Sequence, residues 1–214
     1  MQTTLFAPRP GRVDLAPGAA LLRGFAQDRV SVDEITSIAV IAPFRHMSTP
    51  GGAAMSAAMT NAGPWGWVSD AAGYRYADRD PASNLPWPPI PAAWSALAAA
   101  AAAALGFPNF APDAVLINRY APAARMGQHR DLDEEALHEP IVTVSLGLPA
   151  IFLFGGLSRK DPVTRVEVAH GDVVVWGGPA RLAYHGVDPV AAGHHPAAGP
   201  FRYSLTFRRA RRLP

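Results

Sequence analysis

From Ala114 to Arg208 the chain is written in short apolar runs, each closed by turn residues, and that rhythm suits a stacked or rolled β-sheet. Ala114–Ala121, Ile141–Leu146, Ala150–Phe154, Thr164–Val168, Asp172–Trp176, Arg181–Tyr184 and Phe201–Arg208 read as strands. Gly147, Gly155-Gly156, Asp161-Pro162, Gly171 and Gly177-Gly178 fall between them, where the backbone must reverse. The pattern predicts a sandwich or barrel.

Residues 1–110 differ. They are rich in proline, glycine and alanine, and few strands are legible in them. The run Ala92–Leu105 is mostly alanine, so it reads as a helix that starts after the P-W-P-P-I-P cluster and stops at Gly106. It is too short to span a bilayer, and its expected role is to cover a sheet. Without a repeat or a linker, the 214 residues are expected to form a single domain. Cysteine is absent, which excludes disulfides, thiolate metal sites and cysteine nucleophiles. Phe6–Pro10 is broken by proline and does not resemble a signal segment, so a cytoplasmic, monomeric protein with no membrane association is expected. A formal charge of +2 permits contact with nucleic acid without arguing for it.

Histidine and carboxylate remain as metal ligands. In Q-H-R-D at 128–131, His129 and Asp131 are two residues apart, so one strand and its frayed end can point both the same way. Y-H-G at 184–186 offers His185 from a distant strand. Two imidazoles and a carboxylate on one face of an octahedron leave adjacent positions open, the arrangement of non-haem Fe(II) oxygenases. By itself the spacing decides little, because the chain has seven histidines and many carboxylates. A zinc hydrolase would use the same three residues.

The segment F-R-Y-S-L-T-F-R-R at 201–209 adds a second constraint. Arg202, Ser204, Thr206 and Arg208 alternate with Tyr203, Leu205 and Phe207. If the polar face turns into a barrel, two buried guanidinium groups need anionic partners. A dicarboxylate would serve, and arginine's planar fork suits it. A zinc hydrolase gives no reason for that pair. Asn118 and Tyr120, on one face of their own strand, would add polar groups to the same interior.

With these pieces in order, Leu116 to Arg208 resembles the AlkB family of Fe(II)- and 2-oxoglutarate-dependent dioxygenases. The matching stretches are L-I-N-R-Y-A-P at 116–122, H-R-D-L-D-E at 129–134, P-I-V-T-V-S-L-G-L-P-A-I-F at 140–152, H-G-D-V-V-V-W-G-G at 170–178, Y-H-G at 184–186 and R-Y-S-L-T-F-R at 202–208. Upstream, P-F-R-H-M-S-T-P-G-G at 43–52, M-T-N-A-G at 59–63, G-W at 66–67 and G-Y-R-Y at 73–76 resemble the family's nucleotide-recognition region. The family's last motif reads R-x-N-x-T-x-R, whereas this chain has Ser204 in place of the asparagine.

The resemblance implies a mainly β fold with flanking helices: a double-stranded β-helix, or jelly-roll, core over 111–214, with an N-terminal nucleotide-recognition lid and covering helix within 1–110. It implies that His129, Asp131 and His185 hold Fe(II), and that O2 and 2-oxoglutarate are cosubstrates. Asn118, Tyr120 and Arg202 would hold the far carboxylate of 2-oxoglutarate, with Arg208 and Ser204 at its metal-chelating end. Trp176 would wall the iron site. Trp67 and His129 would sandwich an alkylated base, Met59 would line its pocket, and Asp133 would take its exocyclic amine. Thr49, Tyr74 and Arg159 would approach the nucleic-acid backbone. The implied reaction is oxidative dealkylation of bases such as 1-methyladenine and 3-methylcytosine in DNA or RNA, releasing an aldehyde, succinate and CO2. A 2-oxoglutarate oxygenase acting on a protein or small molecule would share the iron and arginine motifs without needing Met59, Trp67 and Tyr74. Arg209, Arg211 and Arg212 read as a solvated tail, and His138, His170, His194 and His195 receive no role.

Overall fold

The computed structural model describes residues 11–212, so Phe6–Pro10 lies outside the described residues. Seven strands form the larger sheet. They are β1 (Gly11–Ala16), β2 (Ala19–Arg23), β3 (Ala58–Ala62), β6 (Ala114–Tyr120), β8 (Ile141–Gly147), β11 (Val173–Trp176) and β13 (Arg202–Arg208), in the order β1-β2-β11-β8-β13-β6-β3. A four-stranded sheet faces it, ordered β10-β9-β12-β7, from β7 (Met126–His129), β9 (Ala150–Phe154), β10 (Thr164–Val168) and β12 (His185–Val187). Strands β4 (Gly66–Asp70) and β5 (Gly73–Ala77) make a separate hairpin. The architecture is the expected jelly-roll, and the chain is mostly β.

Two apolar layers hold the sheets. Between them lie Leu116, Phe152, Phe154, Val174 and Trp176; outside the larger sheet, Val142, Val144, Leu205 and Phe207 pack with α1 (Val32–Ile41) and α2 (Ala92–Ala103). Strand β13 therefore divides its residues by parity. Leu205 and Phe207 enter the helix-covered layer, while Arg202, Ser204, Thr206 and Arg208 face the interior of the roll. Helix α2 matches the alanine-run expectation, buries Trp94, Leu97, Ala98, Ala101 and Ala102, and lies over β8 and β11.

Three readings need correction. The first 110 residues contain β1 to β5, and β1, β2 and β3 belong to the larger sheet. They are hard to read in the sequence because each is short and begins at or abuts a glycine, which interrupts clean alternation. Arg181–Tyr184 is not a strand: the 3-10 turn Gly178–Ala180 runs into it, and strand β12 begins at His185. The C-terminal arginines are not a solvated tail. Arg209 Nη1 donates to the Ala111 carbonyl at 3.1 Å, Arg211 lies 4.3 Å over the Trp65 ring and pairs with Glu135, and Arg212 Nε donates to the Glu135 carbonyl. Sequence spacing cannot reveal such distant partners.

Candidate active site

Strands β7 and β12 bring the histidines together. His185 stands opposite His129 in register, and Val187 opposite Met126, so β7 carries one extra residue between those pairs. Gly186 makes this possible, because a Cβ there would sit 2.7 Å from the Met126 carbonyl oxygen and 3.2 Å from Gln128 N. The Y-H-G motif thus combines a ligand with the residue that lets its strand close in.

The imidazole rings of His129 and His185 are 4.4 Å apart. Asp131 Oδ1 is 3.6 Å from His129 Nε2, and Asp131 Oδ2 is 3.8 Å from His185 Nε2. One donor atom from each residue lies within 4.8 Å of the others. The Nδ1 atoms face the carbonyls of Gly127 at 2.9 Å and Ala183 at 3.1 Å, which assigns the proton to Nδ1 and leaves the Nε2 lone pairs for a metal. Burial, helped by the neighbouring His129, pulls the His185 pKa down to about 3, so its ring is neutral. Burial alone would raise the pKa of Asp131; the charge of Arg208, with His185 and His129, overrides it and holds the carboxyl well below its ordinary range. Two imidazoles whose Nδ1 atoms face carbonyls, together with one ionised carboxylate, suit a divalent cation.

The cleft beside this group is lined by Asn118, Tyr120, Arg202, Ser204, Thr206 and Arg208 among others. The two arginines differ. Arg208 donates from Nε at 2.8 Å and Nη2 at 2.6 Å to Asp131 Oδ2, so its anion comes from the protein itself. Arg202 is 1% exposed, and its Nη2 donates to Ser145 Oγ at 3.2 Å. Among the described residues, its Nε and Nη1 have no hydrogen-bond partner, and neither does Asn118 Oδ1. A buried guanidinium facing hydroxyls and no carboxylate is expensive, so a ligand carboxylate fits there. Ser204 Oγ accepts from Asn118 Nδ2 at 3.4 Å, a long contact consistent with its short side chain. Of the two arginines, Arg208 is paired with a carboxylate of the protein and Arg202 is not.

Other expected residues group at the mouth. Trp67 and Tyr74, on β4 and β5, stack at 5.6 Å with planes 14° apart, and Trp67 Nε1 donates to Asp133 Oδ2 at 2.7 Å. One face of Trp67 is thus covered by Tyr74. Met59 is 1% exposed and sealed in the core against which Trp67 packs. Thr49 closes a turn by accepting from Ala53 N at 3.2 Å, and Ser69 Oγ ties that turn to β4 through the Ser48 carbonyl. Arg159 is exposed and Arg130 half-buried, and each guanidinium lies 4.9 Å over the Tyr184 ring. Trp176 stands 4.8 Å from the His185 ring, as a wall.

A buried network escaped the sequence reading. Glu134 accepts from Tyr76 Oη at 2.6 Å and from Arg181 Nη2 at 3.0 Å, and lies 3.4 Å from Arg208 Nε. Arg181 Nη1 also donates to the Asp131 carbonyl at 3.0 Å. In D-L-D-E-E, Glu134 looked like one acidic loop residue among several, and only its partners distinguish it.

The 2OG-Fe(II) oxygenase superfamily pattern matches residues 18–208. The alpha-ketoglutarate-dependent dioxygenase AlkB of Salmonella typhimurium is 53% identical over 209 residues, spanning 96% of this chain and 97% of the relative, and its Escherichia coli K12 counterpart gives the same figures. The chain belongs to the AlkB family. A Caulobacter vibrioides AlkB homolog is 44% identical over 92% of this chain and 87% of its own. The solved structure of OsALKBH1 superposes with a TM-score of 0.81 at 28% identity, covering 93% of this chain and 100% of that one. Like other 2OG-Fe(II) oxygenases of the AlkB family, this chain is an Fe(II)- and 2-oxoglutarate-dependent dioxygenase that uses O2, and its His129-Asp131-His185 group fits the iron.

Proposed function

We propose that the chain repairs alkylated nucleic acid by oxidative dealkylation of N-alkylated bases of the 1-methyladenine and 3-methylcytosine type. The observation that carries this reading is the stacked Trp67–Tyr74 pair hydrogen-bonded to Asp133, two residues beyond the candidate iron carboxylate. A small metabolite does not call for a flat aromatic platform tied to the segment that follows the candidate iron carboxylate. A base does, because it must leave its stack and be held between planar groups to reach a buried centre. Human nucleic acid dioxygenase ALKBH1 is 34% identical over 125 residues, spanning 58% of this chain, and its name agrees with that substrate class.

His129, Asp131 and His185 would hold the iron; Arg202, Asn118 and Tyr120 would hold the far carboxylate of 2-oxoglutarate, with Arg208 and Ser204 near its other end. When bound, iron and cosubstrate supply an O2-driven hydroxylation of the alkyl carbon, giving succinate and CO2, after which the unstable product releases an aldehyde. The protein's own work is placement. Asp133 exchanges the Trp67 N–H for the base's exocyclic amine, and its charge favours the cationic lesion. Trp67 holds one face of the ring, His129 the other, and Met59 backs the pocket. Thr49, Tyr74 and Arg159 meet the backbone. Among the described residues no helix is long and apolar enough to cross a membrane, and the reading carries with it a monomeric enzyme in the cytoplasm.

Anaerobic addition of Fe(II) and 2-oxoglutarate should give a metal-to-ligand charge-transfer band. Admitting air with a methylated single-stranded oligonucleotide should then yield formaldehyde and unmodified base in step with succinate. A band with no dependence of succinate on the oligonucleotide would move the substrate to a protein or small molecule.

A further inference from the structure

The β4–β5 hairpin is fastened to residues 131–134 twice, and the two fastenings differ in kind. Trp67 to Asp133 is a single bond between groups open to solvent. Tyr76 to Glu134 is buried: the Tyr76 residue is 8% exposed and the Glu134 side chain 2%. Water cannot replace the phenol there, and an ionised carboxylate so deep is held only while its donors stay in place.

Glu134 in turn touches the metal side. Its Oε1 takes the Tyr76 hydroxyl at 2.6 Å and lies 3.4 Å from Arg208 Nε, while its Oε2 takes Arg181. Arg208 clamps Asp131 Oδ2 with two donors, so Oδ1 is the carboxylate oxygen left without an arginine. Arg181 pins the Asp131 carbonyl, so both the backbone and the side chain of that residue are set by groups that Glu134 holds. Two carboxylates balance two guanidiniums, and each link is 3.4 Å or less.

We infer that Glu134 and Tyr76 are positioning residues: through Arg208 and Arg181 they fix which oxygen Asp131 presents to the metal, and they make the seating of the hairpin part of that geometry. The inference deepens the metal-site assignment used above. Burial keeps the Tyr76 phenol pKa well above its ordinary value, so it serves as a permanent donor and not as an acid. The Trp67–Asp133 bond is then the exchangeable fastening and Tyr76–Glu134 the pivot.

The test is a titration of the metal-free, full-length protein with Co(II), followed by its visible absorption, in wild type, Tyr76→Phe, Glu134→Gln, the double variant and Arg75→Ala. Arg75 lies on the same hairpin and its guanidinium donates to Asp70 and to the Gly73 carbonyl, so it reports general hairpin damage. Partners of a metal's ligands typically change affinity 10- to 100-fold. Glu134→Gln should weaken Co(II) about tenfold, Tyr76→Phe several-fold, and both should alter the absorption envelope. The double variant should be no weaker than Glu134→Gln, because both act along one path. Arg75→Ala should stay near wild type. Co(II) affinity and spectrum unchanged in Tyr76→Phe and Glu134→Gln, or losses that simply add, would overturn the inference. Tyr76→Phe removes one hydroxyl and keeps the ring, so it reads the result even where Glu134→Gln folds poorly. No nucleic acid enters the titration, so a wild type that leaves methylated oligonucleotides untouched would fail the repair reading alone.

Discussion

Arg202 bears a charge that the fold does not neutralise. Its guanidinium meets Ser145 Oγ and Tyr120, whose ring centroid is 4.9 Å away, and among the described residues its Nε and Nη1 lack a hydrogen-bond partner and no carboxylate pairs with it. Replacing a buried, poorly paired charge with an apolar side chain of like volume is often stabilising by about 1–4 kcal/mol. Arg202→Met should therefore raise the melting temperature without 2-oxoglutarate by at least about 2 °C, while abolishing the upward shift that 2-oxoglutarate gives the wild type. Scanning calorimetry with and without the cosubstrate checks both halves. A lower melting temperature would mean that the arginine is satisfied within the fold. Ser204 is the complementary case, a side chain too short for its neighbour. Ser204→Asn adds amide donors next to the unpartnered Asn118 Oδ1, and a hydrogen bond of about 1 kcal/mol should tighten 2-oxoglutarate roughly fivefold, measured by calorimetric titration. An unchanged dissociation constant would show that serine already meets the need.

Strand β12 has only three residues, yet the metal group depends on it. With Ala at 186 the new methyl would press on the backbone of Met126, Gly127 and Gln128, none of which can swing aside as a side chain would. Gly186→Ala should cost about 1–3 kcal/mol through overpacking and should push His185 away from His129, so Co(II) affinity falls further than the loss of stability accounts for. Paired thermal melts and Co(II) titrations test this, and affinity that tracks stability alone would refute it. What the sequence could show follows from the range of the physics. Parity in 202–208 is local, so the polar face of β13 was legible before its neighbours were known, and so was α2, whose stop at Gly106 coincides with a φ of +84°. Helix α1 carries a local signal too, since Ser31 and Glu34 form a capping box at its start. The partner of Arg208 was not legible, because Asp131 is 77 residues away and only the closed roll brings them together. Glu134, Arg181 and Tyr76 come from three separate stretches for the same reason.

Across the whole molecule, a net charge of +2 understates the field at the mouth. Many arginines pair with carboxylates of the fold: Arg23 with Asp172, Arg45 with Asp80, Arg181 with Glu134 and Arg208 with Asp131 inside it, and Arg211 with Glu135 at the surface. Arg130 and Arg159 do not. Neither has an ion pair among the described residues, and both guanidinium carbons lie 4.9 Å from the ring of Tyr184, next to the ligand His185. The ring holds the arginines without neutralising them, leaving their N–H donors for phosphate. Each phosphate neutralised on a single strand adds about −0.7 to the slope of log affinity against log salt. If both arginines engage the strand, they contribute about −1.4 to that slope for a methylated oligonucleotide, and Arg130→Ala or Arg159→Ala should each remove about half of it. The free methylated nucleoside, having no phosphate, should show no such dependence in any of these proteins. The measurement is kcat/KM across a salt series with both substrates. Identical slopes in wild type and Arg130→Ala would place that guanidinium off the path of the strand and leave its contact with Tyr184 a matter of packing alone.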